Sequence, residues 1–234
     1  MSLSAQQASA ASAICLLATL ACYALARWLY RRHRRAWLQP LLTAPLVLLG
    51  LLLLSGVDYR VYLHDTRWLM WMMGPATVAY AYPIYQRRAL LRRYPVSLAC
   101  GVVAGLALGV LGSWLLADLL ALPQTVARSV LTRSVSTPFA MAASSYFGGS
   151  PDIAALCVLG TGVFGLLVGE SVQAWIGLRS NLSRGASLGA AAHAAGTAKA
   201  YELDPEIGAV SSLTMVFSGI AMVLLAPWLG QWLG

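Results

Sequence analysis

Long apolar runs alternate with short polar or basic segments along most of the chain. A helix that crosses a bilayer needs about 20 mostly apolar residues, and six segments come close to that length. These segments are residues 8–30, 38–55, 68–85, 96–119, 153–178 and 210–232. The pattern predicts an all-α, polytopic membrane protein with about seven transmembrane helices plus one re-entrant or broken segment.

Two of the apolar stretches carry a proline motif in their interior. The first is Gly74-Pro75-Ala76-Thr77, and the second is Ser136-Thr137-Pro138. A proline removes one helical N–H and frees nearby carbonyls, which lipid cannot satisfy. Such a break is stable only where protein or a water-filled cavity covers it. The two motifs therefore predict two Pro-broken helices that enclose a site.

Each proline motif is followed by a segment with glycines at helical spacing. Gly101, Gly105 and Gly109 follow the first motif, and Gly165 and Gly169 follow the second. Glycines four residues apart let another helix backbone approach closely. We interpret this as an internal repeat of a broken helix and a glycine-faced helix, which is typical of a transporter's binding site. Two Pro-kinked helices with a purely structural role are the alternative.

The composition and the placement of charge set the expected location and topology. Of the 234 residues, 59% are hydrophobic and 10% are charged, which excludes an ordinary soluble domain. Nine of the sixteen basic residues stand in two clusters beside apolar spans: Arg27, Arg31, Arg32, Arg34, Arg35, Arg87, Arg88, Arg92 and Arg93. Basic loops next to spans mark the cytoplasmic side, so the net charge of +8 indicates topology and not nucleic-acid binding.

This topology predicts that the N-terminus and the charged segment from Asp58 to Arg67 are external. The stretch 125–147 holds Arg128 and Arg133 among hydroxyl residues, which would be costly on a lipid-facing span. We interpret it as re-entrant, which keeps the loop with Arg179 and Arg184 in the cytoplasm. A full crossing is the alternative. No linker is visible, so we expect one membrane domain over 1–234, with 1–37 as an extra N-terminal helix and basic loop.

The candidate chemistry consists of hydroxyls, exposed backbone and a few cations. His193 stands in an alanine-rich helical segment four residues before Thr197, and Lys199 precedes Glu202 by three. A half-helix that begins at Pro138 would direct free N–H groups at an anion. His193 could bind that anion, or it could be a core histidine that donates to a carbonyl at one of the breaks. Glu170 is expected within the membrane with its role open.

These features predict a binding site for a small anionic substrate. The main candidate residues are Pro75, Thr77, Ser136, Thr137, Pro138, His193, Gly196, Thr197 and Lys199, and the further candidates are Arg133, Glu202 and Ser211. No spacing of His, Cys, Asp or Glu fits a metal site, and no Ser-His-acid set is indicated. We therefore expect no enzyme activity, no metal and no cofactor.

Several runs resemble the LrgB/CidB (YohK) family of membrane proteins over about residues 40–230. The matching runs are Gly74–Ala79, Ser134–Met141, His193–Ala200 and Gly208–Leu213. The family usually has a second threonine where Ser136 stands and a proline where Glu170 stands, so no role for Glu170 follows from the resemblance.

The resemblance implies two functions in the bacterial cytoplasmic membrane. One is transport of a small monocarboxylate such as glycolate, glycerate or pyruvate. The other is antiholin-like control of murein hydrolase export and lysis, together with a small LrgA/CidA-type membrane partner. The paired breaks favour transport, because a regulator of lysis needs no polar interior. Self-association into a homo-oligomer is left open.

Overall fold

The protein is all-helical in the part that its computed structural model describes, residues 5–33, 35–79 and 81–233. Side chains of residues 5–11, 36, 76, 77, 81, 83 and 84 are outside that description, as are Arg34 and Tyr80. The described α-helices are α1 (Ala5–His33), α2 (Pro40–Ser55), α3 (Tyr59–Trp71), α4 (Met73–Ala79), α5 (Ala81–Gln86), α6 (Arg88–Arg93), α7 (Pro95–Leu119), α8 (Gln124–Val130), α9 (Thr137–Ser144), α10 (Pro151–Trp175), α11 (Asn181–Leu203) and α12 (Pro205–Leu233).

Four described helices are long and apolar enough to cross a membrane. They are Ser12–His33, Pro95–Leu119, Pro151–Trp175 and Pro205–Leu233, and the apolar α2 is shorter. The last three begin with proline, which is tolerated in the first turn because its missing N–H has no helical partner there. The expected count of about seven spans is not confirmed.

Two predicted helical segments are interrupted. The predicted span 68–85 is divided, because α3 ends at Trp71, α4 covers Met73–Ala79 and α5 begins at Ala81. Pro75 lies in the first turn of α4, where proline is tolerated, so the interruption does not fall at Pro75 itself. The segment 187–202, expected as one helix, is broken at His193.

The charged segment that was predicted to be external is helical from Tyr59 onwards, and its external location stays a prediction. Asp58 caps α3, since its carboxylate accepts a hydrogen bond from the Arg60 N–H at 2.7 Å. An N-cap aspartate satisfies a backbone donor that has no partner inside the helix. This local signal begins the helix despite the polar composition that follows.

Packing divides the chain into two units, Met1–Ala76 and Thr77–Gly234. In the first unit α1 packs against α2 and α3. Polar bonds tie these helices together: the Ser12 hydroxyl donates to an Asp65 carboxylate oxygen at 2.7 Å, and the Gln39 amide donates to the Tyr30 hydroxyl at 3.2 Å. The prediction of one domain over the whole chain stays a prediction.

The second unit is built around α11 and α12, which pack against each other along much of their length. Helix α7 contacts both of them, α10 contacts α11, and α9 packs against α10 and α12. The largest buried cluster includes Val102, Leu106, Val110, Leu131, Val135, Phe147, Val158 and Met222. This arrangement places the first part of α11 between the glycine faces of α7 and α10.

The predicted role of the two glycine faces in close helix packing is confirmed. A Cβ built on Gly105 would lie 2.7 Å from the Ala190 Cβ, and one on Gly165 would lie 2.5 Å from the Ala192 Cβ. Both distances are too short for real carbon contacts. Gly101 similarly faces Ala186 at 3.3 Å. The glycines are thus required because α11 approaches both helices at backbone distance.

We predict that Gly105→Leu destabilises the protein, whereas Gly112→Leu in the same helix does not. A side chain at residue 105 must displace α11, and overpacking of this kind costs about 1–3 kcal/mol. Gly112 has no atom within 4 Å of a built Cβ, so it is a matched control. Thermal melting of both purified variants in detergent checks this. Equal melting temperatures for the two variants would contradict the packing.

Candidate functional site

The second proline motif forms a break between two short helices. Helix α8 ends at Val130 and α9 begins at Thr137, with Pro138 in its first turn. The connecting turn is buried, and Val135 and Ser136 are 0% and 3% exposed. The predicted break is therefore confirmed, whereas its re-entrant course in the membrane stays a prediction.

A third break, which the sequence analysis missed, occurs at His193 inside α11. Its backbone angles are φ 48° and ψ −127°, a region that L-residues rarely adopt and that glycine tolerates. Residues 181–192 and 194–203 are thus two helical halves joined at a strained residue. The prediction of a continuous helix with His193 and Thr197 one turn apart was wrong.

Gly196 has a steric role at this third break. The chain turns so sharply that a Cβ on Gly196 would lie 2.6 Å from the Ala192 Cβ and would also meet the Leu188 carbonyl oxygen. Any larger residue would force the two halves of α11 apart. The structure gives Gly196 a packing role, and its predicted part in substrate binding stays a prediction.

The second and third breaks touch through one buried hydrogen bond. The His193 Nε2 lies 3.0 Å from the carbonyl oxygen of Arg133, which stands in the turn before α9. Because that carbonyl can only accept, Nε2 carries the proton. His193 is 2% exposed, and its Nδ1 has no hydrogen-bond partner among the described residues. This contact corresponds to the alternative in which the histidine satisfies a carbonyl at a break.

The Arg133 side chain is held by α7. Its Nε donates to the Ser113 hydroxyl at 2.8 Å, and Ser113 in turn donates to the Gly109 carbonyl. Gly109 also lies against the Ser134 side chain. Arg133 is therefore fixed at its backbone by His193 and at its side chain by Ser113.

Ser136 and Thr137 stand at the start of α9, next to this contact along the chain. The Ser136 hydroxyl is buried without a hydrogen-bond partner among the described residues, although Ser136 occupies the N-cap position. A buried hydroxyl without a partner is unfavourable. It marks the turn as a place where a polar ligand can bind.

The remaining polar candidates on α11 have partners inside the protein. The hydroxyls of Thr197 and Ser211 lie 2.9 Å apart, and Ser212 donates to the Tyr201 hydroxyl at 3.2 Å. Both bonds join the second half of α11 to α12. Hydroxyl contacts of this kind are typical of helix–helix packing in membranes, and the predicted part of Ser211 and Thr197 in substrate binding stays a prediction.

Lys199 is paired with two carboxylates. Its Nζ lies 3.7 Å from a Glu170 oxygen and 3.8 Å from a Glu202 oxygen. The predicted Lys199–Glu202 neighbour pair is confirmed. The Glu170 contact joins α10 to α11 and was missed, because the sequence carries no signal for which face of α10 meets α11.

The first proline motif contributes less to the described geometry. Pro75 is exposed, and the Thr77 side chain lies outside the described residues. Among the described side chains, no group of three or more His, Cys, Asp or Glu residues could hold a metal ion.

Apolar spans and interrupted, glycine-packed helices define an integral membrane protein with a polar interior. The LrgB-like family matches residues 19–232, and the chain belongs to that family. The uncharacterized protein YwbG of Bacillus subtilis is 37% identical over 92% of this chain and 96% of its own length. The uncharacterized protein YxaC of Bacillus subtilis is 32% identical over 95% of this chain and 96% of its own length. The holin-like protein CidB of Staphylococcus epidermidis is 28% identical over 91% of this chain and 93% of its own length. No solved structure matches the chain.

We predict that His193→Gly is more stable than His193→Ala, by about 1 kcal/mol or more. Both variants lose the bond to Arg133, but only glycine adopts the positive φ without strain, which is worth about 1–3 kcal/mol. In an ordinary helix the order reverses, because glycine is about 1 kcal/mol worse than alanine. Ala194→Gly, at an exposed helical position, is the matched control and should lose stability. Melting in detergent gives the order, and a more stable His193→Ala would mean that α11 is continuous.

Proposed function

We propose that this protein is a membrane transporter of small monocarboxylates of the glycolate, glycerate or pyruvate type. The observation that carries this proposal is the buried bond between His193 and the Arg133 carbonyl, which brings two interrupted helices together. In secondary transporters, interrupted helices form the substrate site inside the membrane. The Ser136 hydroxyl, buried without a partner in the described chain, provides a polar group for a ligand. The unprotonated Nδ1 of His193 can only accept a hydrogen bond and does not bind a carboxylate.

In this proposal the substrate binds beside the turn before α9. Ser136 and Thr137 offer hydroxyls, and the Thr137 N–H adds one backbone donor at the start of α9. Pro138 has no N–H, and the N–H groups of Phe139 and Ala140 already donate to the Ser136 carbonyl. His193 holds the turn in place. Thr197, Ser211, Lys199 and Glu202 already bind one another or Glu170, which supports a structural role for them.

A second function, holin-like control of murein hydrolase export and lysis, is favoured by the relatives. CidB is named a holin-like protein, and this name supports the second function more directly than it supports transport. In that case the chain would act with a small LrgA/CidA-type membrane protein. The polar contact between two breaks would then have only a structural purpose.

We also propose the bacterial cytoplasmic membrane as the location, with the N-terminus external. The arginines of α6 and those that end α1 would lie in the cytoplasm, as basic segments beside spans do. No enzyme activity is part of either function.

Uptake of labelled glycolate, glycerate and pyruvate into proteoliposomes tests transport, with and without the small partner. Purified protein should take up at least one of them. Thr137→Val should weaken uptake by about tenfold to 150-fold, because one charge-assisted hydrogen bond is worth about 1.5–3 kcal/mol. Ser136→Ala should act in the same direction.

Thr125→Val is the control for these variants, since Thr125 is exposed in α8. It should transport like the unmodified protein. Transport would be rejected if well-folded protein took up none of the three acids. A changed lysis phenotype in cells that lack the gene would then favour the holin-like function.

A further inference from the structure

The Arg133 guanidinium lies where two surface grooves of the helical core meet. The larger, about 770 Å³, lies along the glycine face of α7 and the first half of α11. The smaller, about 290 Å³, lies along α10. Arg133, Thr161, Leu178, Ser187 and Ala191 line both grooves.

Arg133 is the one charged residue among the described residues that line these grooves. The ion pairs in the described chain involve His64 and Lys199, and none involves Arg133. Its Nε donates to Ser113, and the terminal amino groups of the guanidinium have no hydrogen-bond partner among the described residues. The charge is therefore positioned but not neutralised.

This uncompensated charge lies beside helices that are long and apolar enough to cross a membrane. Ser113 belongs to α7 and Thr161 to α10, and both helices are candidate spans. An ionised side chain at such a place is costly unless it has a partner or water, and it is a functional residue by default. Arginine binds a carboxylate through two parallel hydrogen bonds, which a lysine or an amide cannot reproduce.

We propose that Arg133 binds the carboxylate of the transported acid and selects acids with a single negative charge. The inference rests on the proposed transport function and assigns its charge-selective residue. One guanidinium neutralises one carboxylate. A dicarboxylate would bring a second charge into a groove whose other lining residues are uncharged, with hydroxyls such as those of Ser134 and Ser187 among apolar side chains.

Cys100 provides a reporter inside the larger groove. It is exposed, free and part of the groove lining. Replacing Cys15, Cys22 and Cys157 by alanine leaves Cys100 as the one thiol. Its rate of modification can then be measured with two reagents, the anionic sulfonatoethyl methanethiosulfonate and the neutral methyl methanethiosulfonate. Glycolate should slow the modification, and succinate at the same concentration should not. This comparison needs no substitution at Arg133.

Arg133→Gln should then lower glycolate uptake about tenfold or more and remove the protection of Cys100. Arg133→Gln should also lower the rate at which the anionic reagent modifies Cys100, relative to the rate with the neutral reagent. Arg133→Lys should retain part of each effect, because it keeps the charge and loses the paired geometry. Arg92→Gln, at an exposed position on α6, is the charge-matched control. It should leave glycolate uptake, the protection of Cys100 and the ratio of the two modification rates unchanged.

The possible outcomes separate this inference from the transport proposal. Uptake by the unmodified protein together with normal uptake by Arg133→Gln would overturn the role of Arg133 and leave transport intact. Equal protection by glycolate and succinate would overturn the selection of a single charge. If self-association or lipid protects Cys100 and neither acid changes its modification rate, the groove is an interface and Arg133 does not bind the substrate there. Absence of uptake by the unmodified protein would reject transport and this inference together.

Discussion

Lipid cannot satisfy a backbone group freed by a broken helix, so a protein group must do so. The turn between α8 and α9 frees the Arg133 carbonyl, and the buried His193 satisfies it at 3.0 Å. To supply that bond, α11 is itself broken, and its break falls at the histidine. The break in α11 thus supplies the donor for the carbonyl at the break before α9.

The glycines make this pairing sterically possible. Gly105 on α7 and Gly165 on α10 let the first half of α11 approach at backbone distance from both sides, and Gly196 lets the second half turn back on the first. Close packing by small residues is the main device available where lipid removes the hydrophobic drive between helices. It brings the strained residue His193 between α7 and α10, and the larger groove that Arg133 lines runs along the same glycine face of α7.

The sequence predicted the features that depend on local chemistry. The break at Pro138 follows from proline's missing donor, and the glycine faces follow from helical spacing. The break at His193 could not be predicted in this way, because its neighbours are alanines, which favour a helix. The residue at the break contacts Arg133, which lies 60 positions away in the chain, and local sequence carries no signal for such a contact. The Glu170–Lys199 pair depends likewise on how α10 is rotated against α11, which spacing alone does not determine.

Because the Arg133 carbonyl can only accept, the position of the proton on the His193 imidazole reports directly on the hydrogen bond between them. The chain has three histidines, so nitrogen-15 NMR of histidine-labelled protein, with His193→Gln to assign the signal, can observe this ring alone. The account predicts one slowly exchanging tautomer with the proton on Nε2, and loss of that signature when Ser134-Val135 is deleted from the turn. A proton on Nδ1, or rapid averaging between the two tautomers, would contradict the account.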